Sequence, residues 1–287
     1  MEIELKTQYW DNPKARNAFK AFILKIHGLD FTEWESRGYW DNAYTPFSYF
    51  KDGQVIASVC IYLLDAVIAN RKTKLVQISG VGTHKEWRRQ GLSRELTNLG
   101  LRWARGQHDG VFLFADDEAI PYYKHCGFSP LDETLEYCHA EPVPKKQGII
   151  PLDPSNQSDL DKIYRYAKNR TPISNKLSVF SSKLLMFHAL YTMRNKIYEI
   201  PDLECLVFFD REGGLVNVYD ILGRTIPSFE QVYPYLASEL DNRINFHFHT
   251  DNLGIKGIKT EITTGNNTFV KESFPISTPA FPYTSRA

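Results

Sequence analysis

Residues 74–103 admit few local structures: a strand from Lys74 to Thr83, a turn through Arg88-Arg89-Gln90-Gly91-Leu92-Ser93, and a helix onward to Trp103. Leu92, Leu96, Leu99 and Trp103 share one helical face. Gly106 supplies a stop. A helix start presents unpaired backbone N–H groups and the positive end of the macrodipole. Together these make an anion site. Gly91 lets the backbone approach a phosphate with no Cβ in the way. Small Ser93 keeps the next approach clear and can add a hydroxyl donor. Arg88, Arg89 and Arg94 bring positive charge around the turn. A charged surface turn would share these arginines, so the reading rests on the whole strand–turn–helix pattern.

Upstream, Ala15, Phe19, Phe22, Ile23 and Ile26 fall at helical spacing within residues 12–26. An aromatic segment from Phe31 to Tyr49 follows, then a strand over Val55–Leu64 and a polar turn at Asn70-Arg71-Lys72. Downstream, Val111–Ala115 reads as a short buried strand and Glu118–His125 as a short helix ending at Gly127. Prolines and lysines crowd residues 141–154, the expected linker. Beyond it come a helix capped by Ser158, a helix over Ser181–Met193, three strands, a helix over Ser228–Leu240 and a strand over Ile244–Thr250. That order repeats the first half, which predicts a duplicated fold. The tail, Ile255–Ala287, reads as short strands broken by prolines.

Charge narrows the function classes. Lys+Arg and Asp+Glu both total 34, so no global field draws nucleic acid or an anionic membrane. The first ten residues hold no apolar stretch of signal type, and no run approaches the roughly 18 residues of a membrane span. Cytoplasmic is the expectation. Cys60, Cys126, Cys138 and Cys205 are widely spaced and read as small buried hydrophobes. His247 and His249 share a strand face, but no further ligand at suitable spacing completes a zinc site, so no metal is expected.

The turn also resembles a family motif. Arg88-x-x-Gly91-x-Ser93, after Val81-x-Thr83 and before an amphipathic helix, resembles the acetyl-CoA motif of the GCN5-related N-acetyltransferases (GNATs), with Ser at the last, usually Gly or Ala, position. About thirty residues on, Ala119-Ile-Pro-Tyr-Tyr123-Lys-His-Cys-Gly127-Phe128 resembles the family's Ala-x-x-x-Tyr-x-x-x-Gly-Phe helix. The resemblance covers residues 1–140. It implies an α/β (α+β) GNAT fold with a mixed central sheet flanked by helices. Residues 1–140 are then the catalytic domain, 141–154 a linker, and 155–287 a degenerate GNAT-like domain with C-terminal strands and no cofactor motif.

The resemblance further implies that Val81-Gly82-Thr83 splays from its neighbour and pairs with the pantetheine arm of acetyl-CoA. The pyrophosphate would sit over the N–H groups of Arg89, Gln90, Gly91, Leu92, Ser93 and Arg94. It places Tyr123 beside the coenzyme A sulfur. A phenol is protonated at neutral pH and can reprotonate a departing thiolate. Tyr122, about 100° around the helix, cannot do the same. Direct transfer of an acetyl group from acetyl-CoA to a small-molecule or peptide amine is the expected reaction. The alternative is a regulatory module that binds acetyl-CoA without turnover.

A general base is not legible in the sequence. Asp116, Asp117 and Glu118 can hold an amine, relay its proton or merely cap the next helix. His84 and His125 flank the motifs as surface residues. The aromatic segment, with Glu33, Glu35 and Asp41, suits a cationic, partly apolar amine or packing between halves.

Overall fold

Local sequence sets the first elements. β1 (Glu4–Thr7) leads to α1 (Pro13–His27), where the Asn12 side chain accepts from the Ala15 amide and Gly28, in the left-handed region, ends the helix. α2 (Thr32–Ser36) and the antiparallel strands β2 (Tyr44–Lys51), β3 (Gln54–Ile68) and β4 (Arg71–Thr83) follow. α3 (Leu92–Ala104) crosses over to β5 (Gly110–Phe114), and α4 (Ile120–His125) precedes β6 (Phe128–Pro130). This computed structural model describes residues 2–263, 265 and 267–287.

β7 (Glu133–His139) ends the first half, and β8 (Ile150–Pro151), α5 (Gln157–Asn169), β9 (Leu177–Phe180), α6 (Ser182–Tyr191) and β10 (Ile197–Ile200) open the second. β11 (Cys205–Glu212), β12 (Leu215–Gly223), α7 (Phe229–Leu236), β13 (Arg243–Phe246), β14 (Lys259–Thr263) and β15 (Thr268–Lys271) complete it. Asn156, not Ser158, caps α5, because its side chain accepts from the Ser158 and Asp159 amides. α7 stops at Leu236, short of the expected Leu240.

Two mixed sheets result. The first runs β1-β2-β3-β4-β5-β15-β6, and the second runs β8-β10-β11-β12-β13-β7-β14. In each, the fourth and fifth strands form a parallel pair, β4 with β5 and β12 with β13, joined by a crossover helix. The sixth strand of each sheet comes from the other half of the sequence. β7 lies in the second sheet, and β15 lies between β5 and β6 in the first.

The two sheets therefore exchange strands across residues 141–154, the stretch that the sequence marks as a linker. The reason is the outer edge of β5, whose N–H and C=O groups would otherwise lie unpaired against a buried core. β15 pairs with that edge over Val111–Phe114, and its buried Phe269 and Val270 pack into separate cores. β9, unexpected from the sequence, pairs with β3 over Asp65–Ile68 and ties the halves a second time. One core cluster accordingly joins Phe19, Phe22 and Tyr62 to Leu160, Leu184 and Met186. All four cysteines are free; Cys126 is half-buried and the other three are buried. Among the described residues, no helix is long and apolar enough to cross a membrane.

Candidate active site

The site begins where β4 leaves β5. Their parallel ladder covers only Leu75–Gln77 against Gly110–Phe112. β4 continues to Thr83 paired with β3 alone, so Val81, Gly82 and Thr83 offer one open backbone edge. A bulge lies opposite Ser58–Cys60 in this stretch. Gly80 there has φ +55°, and a Cβ would sit 3.0 Å from the Tyr44 hydroxyl. At Gly82 a Cβ would come within 2.8 Å of Ile26 on α1. The two glycines thus let α1 close down on β4.

The turn beyond β4 keeps its amides free. Arg89 and Gly91 both have positive φ, 63° and 80°. The first backbone bond of α3 runs from the Glu95 amide to the Gly91 carbonyl, at 3.0 Å. The four amides before it have no intrahelical partner. A Cβ built on Gly91 meets nothing within 4 Å, so its glycine is needed for φ and for approach from outside, not for packing. Arg88 Nε donates to the Thr83 carbonyl at 3.1 Å, and Arg94 Nη1 lies 3.0 Å from His125 Nε2. The Ser93 hydroxyl is 2.5 Å from that of Thr83, fastening the strand end to the helix start.

A cleft of about 210 Å³ opens at the splay. Gly80, Val81, Phe114, Asp116 and Tyr123 line it from the sheet and the loop and helix after β5, and Ile23, His27, Phe31 and Trp34 from α1 and the segment that follows it. Leu184 and Phe187, from α6 of the second half, and Ala287 also line it. Gln77, at the splay point, donates through Nε2 to the backbone oxygen of Ala287 at 3.0 Å. Another cavity, of about 240 Å³ beside Arg165 and Arg224, contains no residue of the first half.

Tyr123 is 5% exposed and stacks edge-on against Phe128. Burial, and then the charge of Asp116, push its phenol well above the ordinary value, so it stays protonated at neutral pH. Tyr122 turns away, with its hydroxyl 3.0 Å from Thr97 Oγ1 on α3. The helix thus separates the two phenols as expected. Asp116 makes no side-chain cap and lines the cleft instead. Asp117 accepts from Asn267 at 2.5 Å, and Glu118 is exposed.

The aromatic segment both lines the cleft and packs between the halves. Trp34 and Tyr44 line the cleft. Trp34 also donates through Nε1 to the Lys183 carbonyl at 2.8 Å and packs on Phe187. Its carboxylates lie elsewhere. Glu33 pairs with Arg37, Glu35 with Arg16 and Lys20, and Asp41 with Lys183. Asp116 is the carboxylate side chain of the cleft. His249 Nδ1 lies 2.7 Å from Glu136 and His247 stacks on Tyr219, so the two imidazoles serve different partners.

Sequence reasoning missed His27, Gly80, Leu184 and Phe187. His27 stands four residues after Ile23, on the inward face of α1, and that spacing could have marked it. Nothing local marks Leu184 or Phe187 as cleft residues.

Residues 16–128 match the model of the Acetyltransferase (GNAT) family. No curated protein matches the sequence. Among solved structures, the chain is similar to a conserved protein from Enterococcus faecalis V583, described as a probable N-acyltransferase. The TM-score is 0.59 at 12% identity, over 94% of this chain and 72% of that one. It is also similar to Eis1 from Mycobacterium abscessus, with TM-score 0.55 and 14% identity over 94% and 73% of the two chains. A GCN5-related N-acetyltransferase from Kribbella flavida gives 0.53 at 11%, over 93% and 71%. At these identities the likeness is one of fold.

Proposed function

We propose that the chain, whose residues 16–128 match the model of the GNAT acetyltransferase family, transfers an acetyl group from acetyl-CoA directly to a small amine, with Tyr123 as general acid. The observation that carries this reading is the continuity of three features along one path. These are the free amides at Gly91, the open edge of β4 and the buried phenol at the splay. The residues fit the cosubstrate. The cradle at 89–94 has room and positive charge for the pyrophosphate, and the edge at 81–83 has backbone groups for the pantetheine amides. Acetyl-CoA supplies the thioester; Tyr123 holds the proton that the departing thiolate needs.

The cleft favours an amine with a small apolar or aromatic body. Its volume lies below the roughly 300–1,000 Å³ of sites for drug-sized ligands. Phe31, Trp34, Tyr44 and Phe187 surround it, and Asp116 can hold an ammonium. The second half acts as a wall and not as a second catalyst. In support, Pro227 before α7 has no N–H and the Ser228 amide donates to Gln231 Oε1 at 3.0 Å, which takes two amides away from any phosphate there. A panel of amines with acetyl-CoA, read by thiol release and product mass, tests the reaction. Absence of acetylated product across aromatic, alkyl and peptide amines would refute it.

Charge contributes to cofactor affinity. Arg88, Arg89 and Arg94 are exposed, so their attraction for phosphate is screened by salt. Acetyl-CoA affinity in calorimetry is expected to fall severalfold from about 0.1 M to about 1 M salt, as the Debye length drops from about 10 Å to about 3 Å. Equal dissociation constants at both ends would place the phosphates elsewhere.

A further inference from the structure

Every amine acceptor of ordinary basicity arrives as an ammonium ion and must lose a proton before its nitrogen can attack. We propose that His27 is the general base that takes this proton. The inference rests on the acyltransferase reading above.

The geometry singles out His27 by elimination among the cleft's titratable side chains; the backbone oxygen of Ala287 there already accepts from Gln77 Nε2. Tyr44 on β2, Tyr62 on β3 and Tyr123 on α4 are all buried phenols, held protonated by their loss of solvent. Cys60, beneath Tyr44, is likewise buried, with its thiol pushed up to about 12. Asp116 and His27 are left, facing the cleft from opposite elements: the loop after β5 and the end of α1.

Their chemistry divides the work. A carboxylate attracts the incoming ammonium, while a neutral imidazole can accept its proton near neutrality. Burial holds His27 below its ordinary value, with Asp116 opposing the shift, so the ring is neutral at physiological pH. Its Nε2 is shielded from bulk solvent and has no hydrogen-bond partner among the described residues. Most buried ring nitrogens are paired; His188, for comparison, engages Thr192 Oγ1 and the Arg286 carbonyl oxygen through its two nitrogens. An unpaired nitrogen at a cleft wall is a place for a proton to go.

The step balances as follows. The ammonium gives one proton to His27 and becomes a free amine. Its nitrogen attacks the thioester carbon; the C–N bond forms and the C–S bond breaks. The thiolate takes the Tyr123 proton, and the Tyr123 oxygen recovers one from the acylated nitrogen, directly or through water. His27 then releases its proton to solvent, leaving amide, thiol and one proton.

His27→Gln tests this, since it keeps a polar side chain of similar reach and removes the titration. At pH 7 its kcat is expected to fall by about 10- to 10²-fold with acetyl-CoA affinity unchanged. The deficit should then shrink by about tenfold per pH unit, because the variant depends on amine already deprotonated. The imidazole itself is followed by NMR titration of the protein without substrates. His27 should titrate below the exposed histidines, and Asp116→Asn should lower it further, since that carboxylate raises it. A kcat within about twofold of the parent, or a deficit that stays constant with pH, would sink the proposal. So would an NMR midpoint at or above that of the exposed histidines. If Asp116→Asn alone gives the pH-dependent deficit, Asp116 is the base and His27 is not. Turnover by the parent with an unchanged His27→Gln profile defeats this inference and leaves the acyltransferase standing. No turnover by the parent with any amine defeats both.

Discussion

Gly91→Glu is expected to abolish acetyl-CoA binding while the protein remains folded. Gly91 is exposed at φ 80°, and nothing lies within 4 Å of a Cβ built on it. Placing an L-residue in that conformation costs about 1–2 kcal/mol, a modest loss in a chain of this size. The effect on binding is of another order. The added carboxylate would stand among amides that are free because α3 begins there. It would occupy the pyrophosphate path, take over the positive end of the helix dipole and repel the phosphates. A loss of about 10²-fold or more is expected, beyond the reach of ordinary calorimetry. Gly91→Asn is the control, because Asn tolerates the left-handed region and adds no charge. It should retain measurable binding. A folded Gly91→Glu protein that binds acetyl-CoA like the parent would show that the cradle is not the cofactor site.

Tyr123→Phe should lower kcat by about 10²-fold or more with acetyl-CoA affinity nearly unchanged. The ring packs against Phe128 and Phe269, and the substitution preserves those contacts. The hydroxyl has no hydrogen-bond partner among the described residues, so its removal strands no buried group. The thiolate's proton is needed only as the C–S bond breaks, so the loss falls on turnover and not on binding. Water in the cleft can substitute in part and would reduce the effect. Tyr122→Phe is the matched control. It removes a hydroxyl bonded to Thr97 and should cost stability more than rate. Equal kcat for parent and Tyr123→Phe, or a larger loss in Tyr122→Phe, would remove Tyr123 from the mechanism.

Legibility followed the range of the interactions. α1, α3 and the β3–β4 hairpin could be read because periodicity, a helix-start glycine and a polar turn act within a few residues. Gly91 was legible for the same reason: a left-handed residue at a helix start is a local demand. Tyr123 and Tyr122 could be assigned different directions from helix geometry alone. The exchange of β7 and β15 could not be read, since strand partners are chosen by which edges remain open in three dimensions. Thr268–Lys271 has nothing in its sequence that names β5 as its neighbour.

The sequence by itself determined the glycine turn at the start of α3, the opposite directions of Tyr122 and Tyr123 and most elements of the first half, because each rests on residues close along the chain. Only the tertiary structure decided what lines the cleft. α1 brings His27 opposite Asp116, 89 residues away in sequence, because Gly80 and Gly82 let the helix approach β4. α6 brings Leu184 and Phe187 across from the other half because Trp34 is fastened to the Lys183 carbonyl and packed on Phe187. Contacts of that separation are fixed by the burial of a shared core, which no local pattern encodes.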